Sequence, residues 1–190
     1  MTNPDQLDSL EGQQYVVLRP SGAVTDVYRQ VQSELLTRVP AGTKHPHTEH
    51  VTIRGLYEPE RREEVAALVR EWAAAQHPIQ IIAEAIDVFP APWQIVITRL
   101  ARTPSLVSAY ASLTAALAPT GFRRLDELPL DDWIFHLSVV YGKTLTPDAW
   151  ADLEQVSRRD LIARPSCIAA DVELVWYEGG REHAEVIPLG

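Results

Sequence analysis

The sequence predicts an α+β fold of two pseudo-symmetric lobes, each an antiparallel sheet with flanking helices, around a central cleft. Three observations lead there. Short segments of alternating apolar residues are interleaved with longer segments whose apolar residues recur every three or four positions, the marks of half-buried strands and amphipathic helices. The order strand, helix, strand, helix, strand occurs twice. Matched positions in the two passes keep a nearly constant offset: His50 and His136 lie 86 residues apart, Ile86-Asp87-Val88 and Val172-Glu173-Leu174 also 86, and Arg19 and Arg99 80. With no long linker between the passes, this reads as one bilobal domain over residues 14–190, with units at about 14–90 and 93–190, after a flexible tail over residues 1–13.

Each element has its own signal. QYVVLR (14–19) is a strand, and 24–39 a helix, with Val24, Val27, Val31, Leu35 and Leu36 on one stripe. PAGTKHP is a loop, and HVTIRGLY (50–57) alternates with period two, a strand with one buried face. Residues 59–76 form a helix, with Pro59 at its start and acidic side chains early, where the helix dipole favours them. Strands at 79–89 and 93–100 flank a turn containing Pro-Ala-Pro. Thr103 caps a helix ahead of Pro104, and 119–132 is loop. WIFHLSVVYG (133–142) is a strand, and a helix follows with Thr146 as cap and Pro147 in its first turn. Strands at 167–178 and 183–189, joined through Gly179-Gly180, close the chain.

Bulk composition narrows the function. Of 190 residues 46% are apolar and 23% charged, ordinary for a folded globular chain. The 17 basic residues are outnumbered by 26 acidic ones, for a net charge of −9 and a pI near 5.1. A groove for long nucleic acid needs a basic face, so a small substrate or the end of a strand, rather than a gripped duplex, is the expected ligand. The single cysteine, Cys167, precludes an internal disulfide and reads as an inert thiol in an apolar segment. The polar N-terminus lacks the apolar core of a signal peptide, and no apolar run approaches spanning length. The expectation is a cytoplasmic monomer with no membrane partner.

The chemistry is concentrated in two tetrads, His50-Val51-Thr52-Ile53 and His136-Leu137-Ser138-Val139. Alternation along a strand puts His50 and Thr52 on one face and the apolar pair on the other, and does the same for His136 and Ser138. Each lobe thus offers one imidazole and one hydroxyl, and pseudo-twofold symmetry sets the two pairs across a common cleft. Two groups titrating near neutrality serve as base and acid for opening a phosphodiester. Two hydroxyls suit the non-bridging oxygens, where charge builds. No metal and no cofactor are needed for such a reaction.

These paired His-x-[Thr/Ser]-hydrophobic tetrads, one lobe apart in a chain of this length, resemble the two-histidine (2H) phosphoesterase superfamily, which includes 2′-5′ RNA ligases and cyclic nucleotide phosphodiesterases. The resemblance covers about residues 14–190. It implies a 2H phosphoesterase-like fold, His50 and His136 as the catalytic pair, and Thr52 and Ser138 as phosphate-binding residues. It further implies His136 as base toward water and His50 as acid toward the leaving oxygen. The implied function is metal-independent hydrolysis of a 2′,3′-cyclic phosphate or related nucleotide or RNA-end ester. The alternatives are 2′-5′ ligation of RNA ends, and a nucleotide-binding module of the same fold without turnover. Bacterial ligase-like members often carry a basic residue shortly after the second tetrad. Here that stretch is VVYGK, which nominates Tyr141 and Lys143 as substrate-binding residues.

Other residues have competing readings. Alternation places Arg54 on the same face as His50, either on substrate phosphate or paired with an acid. Arg19 and Arg99 read as structural residues near strand ends. His45 and His47 make a zinc set with His50 only on paper: they sit in a Pro-containing loop whose spacing fits no metal template, and read as solvated residues at the cleft rim. Asp131 and Asp132 read as a solvated loop, and His77 and His183 as surface residues. Trp93, Trp133, Tyr57 and Tyr141 are candidates for the core or for base stacking.

Overall fold

The computed structural model describes residues 10–190; residues 1–9 of the tail expected over 1–13 lie outside them. Among the described residues, ten strands and four α-helices follow in the order β1 (Gln13–Leu18), α1 (Gly22–Leu36), β2 (Val51–Tyr57), α2 (Arg62–Ala74), β3 (Ile79–Phe89), β4 (Ile95–Leu100), α3 (Pro104–Leu117), β5 (Arg124–Leu125), β6 (His136–Tyr141), α4 (Pro147–Ser157), β7 (Arg159–Asp160), β8 (Ser166–Ala169), β9 (Asp171–Glu178) and β10 (Arg181–Pro188). A 3-10 turn, Pro59–Arg61, leads into α2. Both expected threonine caps form: Thr103 accepts from Leu106 N and Thr146 from Ala149 N, each at 3.3 Å.

Two antiparallel five-stranded sheets result. The first runs β10-β9-β1-β2-β5, and the second β6-β4-β3-β7 with β8 also on β3. The fold is therefore α+β and bilobal. The lobes nevertheless differ from the sequence units, because each unit gives its third main strand away. The turn at residues 90–94 is short, so β3 folds back on β4 as a hairpin inside the second sheet. In return β9 crosses to pair with β1 in the first. Residues 167–178 split accordingly: β8 pairs with β3, and after Ala170 β9 pairs with β1. Helix α1, from the first unit, packs on β6, β8 and β3 of the second sheet.

Registers repeat across the exchange. Val17 pairs with Thr52 on one side and Glu173 on the other, and Ile97 pairs with Ser138 and Asp87 in the same way. A β-bulge follows the same rule, between Val16 and Val17 in one sheet and between Val96 and Ile97 in the other. The extra residues opposite them, Ile53 and Val139, are fully buried.

The sheets meet where β2 contacts β6. Strand β6 is an edge, and α1 satisfies its open carbonyls: Tyr28 Oη donates to Ser138 O at 3.0 Å and Gln32 Nε2 to Val139 O at 3.0 Å. The loop between α1 and β2 completes the join, with Tyr141 N donating to Lys44 O at 2.9 Å and Gln32 Nε2 to Pro46 O at 3.1 Å. One continuous core, from Val16 and Leu18 through Ile53, Ile86 and Val139 to Leu174, runs under both sheets.

Candidate active site

The bulges decide which side chains reach the cleft. Without one, residues two apart share a face. With Ile53 inserted, Arg54 pairs with Val16 while Thr52 pairs with Val17. Val16 is a core residue and Val17 lines the cleft, so Thr52 faces the cleft and Arg54 the interior. The expectation that Arg54 lies beside His50 is corrected here. Its guanidinium sits 3.6 Å above the Tyr110 ring, bonds Thr114 Oγ1, and lies 3.6 Å from a Glu127 carboxylate oxygen. It is a structural cation, held by a ring face and a carboxylate.

A cavity of about 560 Å³ opens between the sheets. Its wall takes Tyr15, Val17, Arg19, His50 and Thr52 from the first two strands, Val175, Tyr177 and Glu182 from β9 and β10, and Ile95, Ser138 and Tyr141 from the second sheet. Thr52 and Ser138 thus share one cavity. Tyr141 joins them and is hydrogen-bonded to Ser138; burial raises its phenol pKa, and that bond opposes the rise. Lys143 is exposed in the turn after β6, and neither it nor His136 is among the residues that line the cavity.

The two imidazoles are held alike. His50 Nδ1 donates to Thr48 O at 3.2 Å and His136 Nδ1 to Ile134 O at 2.7 Å. A carbonyl only accepts, so each neutral ring carries its proton on Nδ1 and leaves Nε2 with a free lone pair. His136 is further fixed by an edge-to-face contact with Phe89, centroids 4.8 Å apart. Burial lowers both pKa values, and the backbone bond partly offsets this in each. Arg19 lowers His50 further, while Glu182 and Glu173 raise it. His50 itself lowers His136, so the rings sense each other's charge.

The remaining candidates fall outside this pair. His45 and His47 line the cavity with rings 5.4 Å apart, edge to face, and His45 Nδ1 bonds Thr43 O at 3.1 Å. Among the described residues no three His, Cys, Asp or Glu side chains are grouped to hold a metal ion. Of the aromatic candidates, Trp93 is exposed in the β3–β4 turn, Trp133 packs on Tyr110, and Tyr57 lies under the Arg123 guanidinium. His183 stacks on Trp176 with centroids 5.3 Å apart. Cys167 is a free, half-buried thiol.

Arg19 is the residue that sequence reasoning missed. It lines the cavity, whereas its repeat partner Arg99 is turned onto Glu84 and Asp87 at 3.1 and 3.0 Å. The 80-residue match between them was visible, but it gave both the same structural reading.

Solved structures share this architecture. TT0787 of Thermus thermophilus superposes with a TM-score of 0.65 at 16% identity, over 92% of this chain and 94% of that one. LigT of E. coli complexed with 3′-AMP gives 0.62 at 12% identity, over 93% and 95%. Usb1 of Kluyveromyces marxianus gives 0.59 at 10%, over 95% and 100%. At such identities the likeness speaks for the fold. No curated protein sequence matches the chain. The family model described as the 2′-5′ RNA ligase superfamily does match, over residues 38–181, a stretch that holds both His-x-hydroxyl tetrads and the sheets' junction. The chain belongs to the 2′-5′ RNA ligase superfamily.

Proposed function

We propose that the protein is a metal-independent phosphodiesterase that opens a 2′,3′-cyclic phosphate, or a related nucleotide or RNA-end ester, using His50 and His136 as acid and base. The observation that carries this reading is the matched pair of Nδ1-anchored imidazoles, each two residues ahead of a hydroxyl that lines the one cavity. That E. coli LigT has been crystallised with 3′-AMP, ATP and NADP+ supports a small nucleotide as the ligand class.

Neutral His136 removes a proton from water as the water oxygen bonds to phosphorus. The P–O bond to the ribose oxygen breaks, and protonated His50 delivers its proton to that oxygen. The product is a nucleoside monophosphate in which one of the two ribose oxygens of the former ring is freed as a hydroxyl. The rings end with protonation exchanged, and solvent restores the starting state. Thr52 and Ser138 donate to the non-bridging oxygens, where charge accumulates. Mutual repulsion of the rings' charges favours the singly protonated pair that the reaction requires. The Glu182 and Glu173 carboxylates act on His50, against Arg19, and no carboxylate contributes at His136, which supports His50 as the acid.

The test is turnover of the four nucleoside 2′,3′-cyclic monophosphates, followed by chromatography, with and without EDTA. The expected result is conversion to monophosphates that chelation leaves unchanged. No turnover by a folded wild-type protein would sink the hydrolytic reading. Activity abolished by EDTA and restored by zinc would move the chemistry to the His45-His47-His50 loop.

A further inference from the structure

Among the described residues, the walls of the cavity contain one guanidinium and no lysine: Arg19, at the end of β1. Its contacts show how it is held. Nε donates to the Glu173 carboxylate at 2.8 Å, and Nη1 donates to Thr48 Oγ1 at 3.1 Å and Glu49 O at 3.3 Å. These bonds engage Nε and Nη1; Nη2 makes no hydrogen bond to the described residues. The same arginine acts electrostatically on His50 and on Tyr177, both in the cavity wall, so its charge is felt where a phosphate flanked by His50 and Thr52 would lie. Its position is specific. In the second sheet Arg99 holds the corresponding register beside His136, yet its Nε and Nη1 both donate to carboxylates of β3, and it lines a separate surface hollow with Glu84 and Asp160.

We propose that Arg19 is a third phosphate ligand of this site, binding a non-bridging oxygen of a phosphodiester or phosphomonoester on the His50 side, with Glu173 as the counter-ion that neutralises it when the site is empty. A guanidinium already fixed through Nε and Nη1 keeps its remaining donors oriented, so little side-chain freedom is lost when an anion arrives. The location on one lobe alone makes the site asymmetric despite its symmetric imidazoles. The bound phosphate sits nearer the ring proposed as acid, and its negative charge offsets the lowering that Arg19 imposes on that ring. This rests on the cavity being a phosphate site, but not on turnover.

The test is calorimetric binding of inorganic phosphate, and separately of a nucleoside 3′-monophosphate, to wild type, Arg19→Gln, Arg19→Lys and Arg99→Gln, with Tm measured for each. Loss of a charge-assisted donor weakens binding of both ligands about 10- to 100-fold in Arg19→Gln. Arg19→Lys keeps the charge but loses the fork and falls between, and Arg99→Gln stays within about twofold of wild type. Histidine-detected NMR gives a readout that a scaffold role would not move: the His50 pKa rises in Arg19→Gln, while that of His136 does not. Equal phosphate affinity in wild type and a folded Arg19→Gln overturns the proposal. So does equal weakening in Arg19→Gln and Arg99→Gln, and so does no phosphate binding by wild type. If Arg19→Gln does not fold, Arg19→Lys decides by the same criterion. Phosphate binding that depends on Arg19 in a protein that turns over no cyclic nucleotide supports the ligand assignment while ending the hydrolytic one.

Discussion

His50 and His136 are the side chains whose removal is expected to cost most. His50→Ala and His136→Ala each lower kcat about 10²–10⁴-fold, the usual worth of a positioned acid or base. Thr52→Ala and Ser138→Ala cost about 10–10³-fold, each removing one donor to developing charge. The double histidine variant is far less impaired than the product of the singles, since neither ring works without the other. His47→Ala is nearly silent. The pH dependence follows from burial. Both pKa values are lowered, so the bell-shaped kcat/KM profile has both limbs on the acid side of histidine's ordinary value of about 6.5. Stability follows the same groups. The unfolded chain takes up these protons near pH 6.5 while the folded one resists, so stability falls as pH drops from about 6.5 through the lowered folded values and levels off below them. Urea midpoints measured from about pH 7.5 to 4.5 report this slope; the His50→Ala/His136→Ala variant flattens it. Both tetrads were legible in the sequence because chemistry and spacing coincide in them. Arg19 was not, because an arginine beside an acidic strand looks the same whether its last donors meet a carboxylate or a cavity.

At the scale of the element, the bulges and strand ends hold the site in register. Past the bulge at Val139, Tyr141 pairs with Ile95 and shares the cavity wall with it, and β6 ends there, before Gly142, whose N–H reaches Gln94 O at 2.6 Å. A Cβ on Gly142 would come within 2.5 and 2.7 Å of the Trp150 ring, which is nearly fully buried on α4. Gly142→Ala therefore forces Trp150 or the strand end to move and is expected to cost about 1–3 kcal/mol. At about 2–4 °C per kcal/mol for a chain of this size, calorimetry resolves the drop in Tm, and an unchanged Tm would contradict the packing described. Elements of strong periodicity and the threonine caps were readable from local sequence. The bulges were not: Ile53 and Val139 are ordinary apolar strand residues, and only their cross-strand partners reveal that alternation breaks there. That break is what moved Arg54 from the cleft to the face of Tyr110. The two-residue strands β5 and β7, in segments expected as loop and helix end, are too short for periodicity to register.

For the whole molecule, the exchange of β3 and β9 makes the lobes interdependent. Residues 1–92 alone retain β3 without β4, β7 or β8, and β1 without β9. That fragment is expected to be an unfolded monomer at micromolar concentration, and mixing it with 93–190 restores the fold; a dispersed amide spectrum from the isolated fragment would contradict this. The sequence showed the repeat but not the exchange, since identity between units says which segments correspond and nothing about whose sheet they complete. The same ambiguity is physical. Pairing is decided by the short turn at 90–94, which makes β3–β4 a hairpin and leaves β1 open to β9.

Imagine the two units uncoupled, as separate half-length chains. Each would have to lend its third strand to a twin to close its sheet, so the smallest complete object would be a twofold dimer. Its two imidazoles would be interchangeable, and a ligand lying on the axis would find no preferred direction in which to react. Covalent fusion lifts that degeneracy. Once both units lie on one chain, a substitution alters one side without its mirror, and an arginine turned inward at position 19 coexists with one turned outward at 99. Which way round a ligand reacts can thus be written into this fold through the linkage between its halves, because a joined pair can carry different residues beside matching partners.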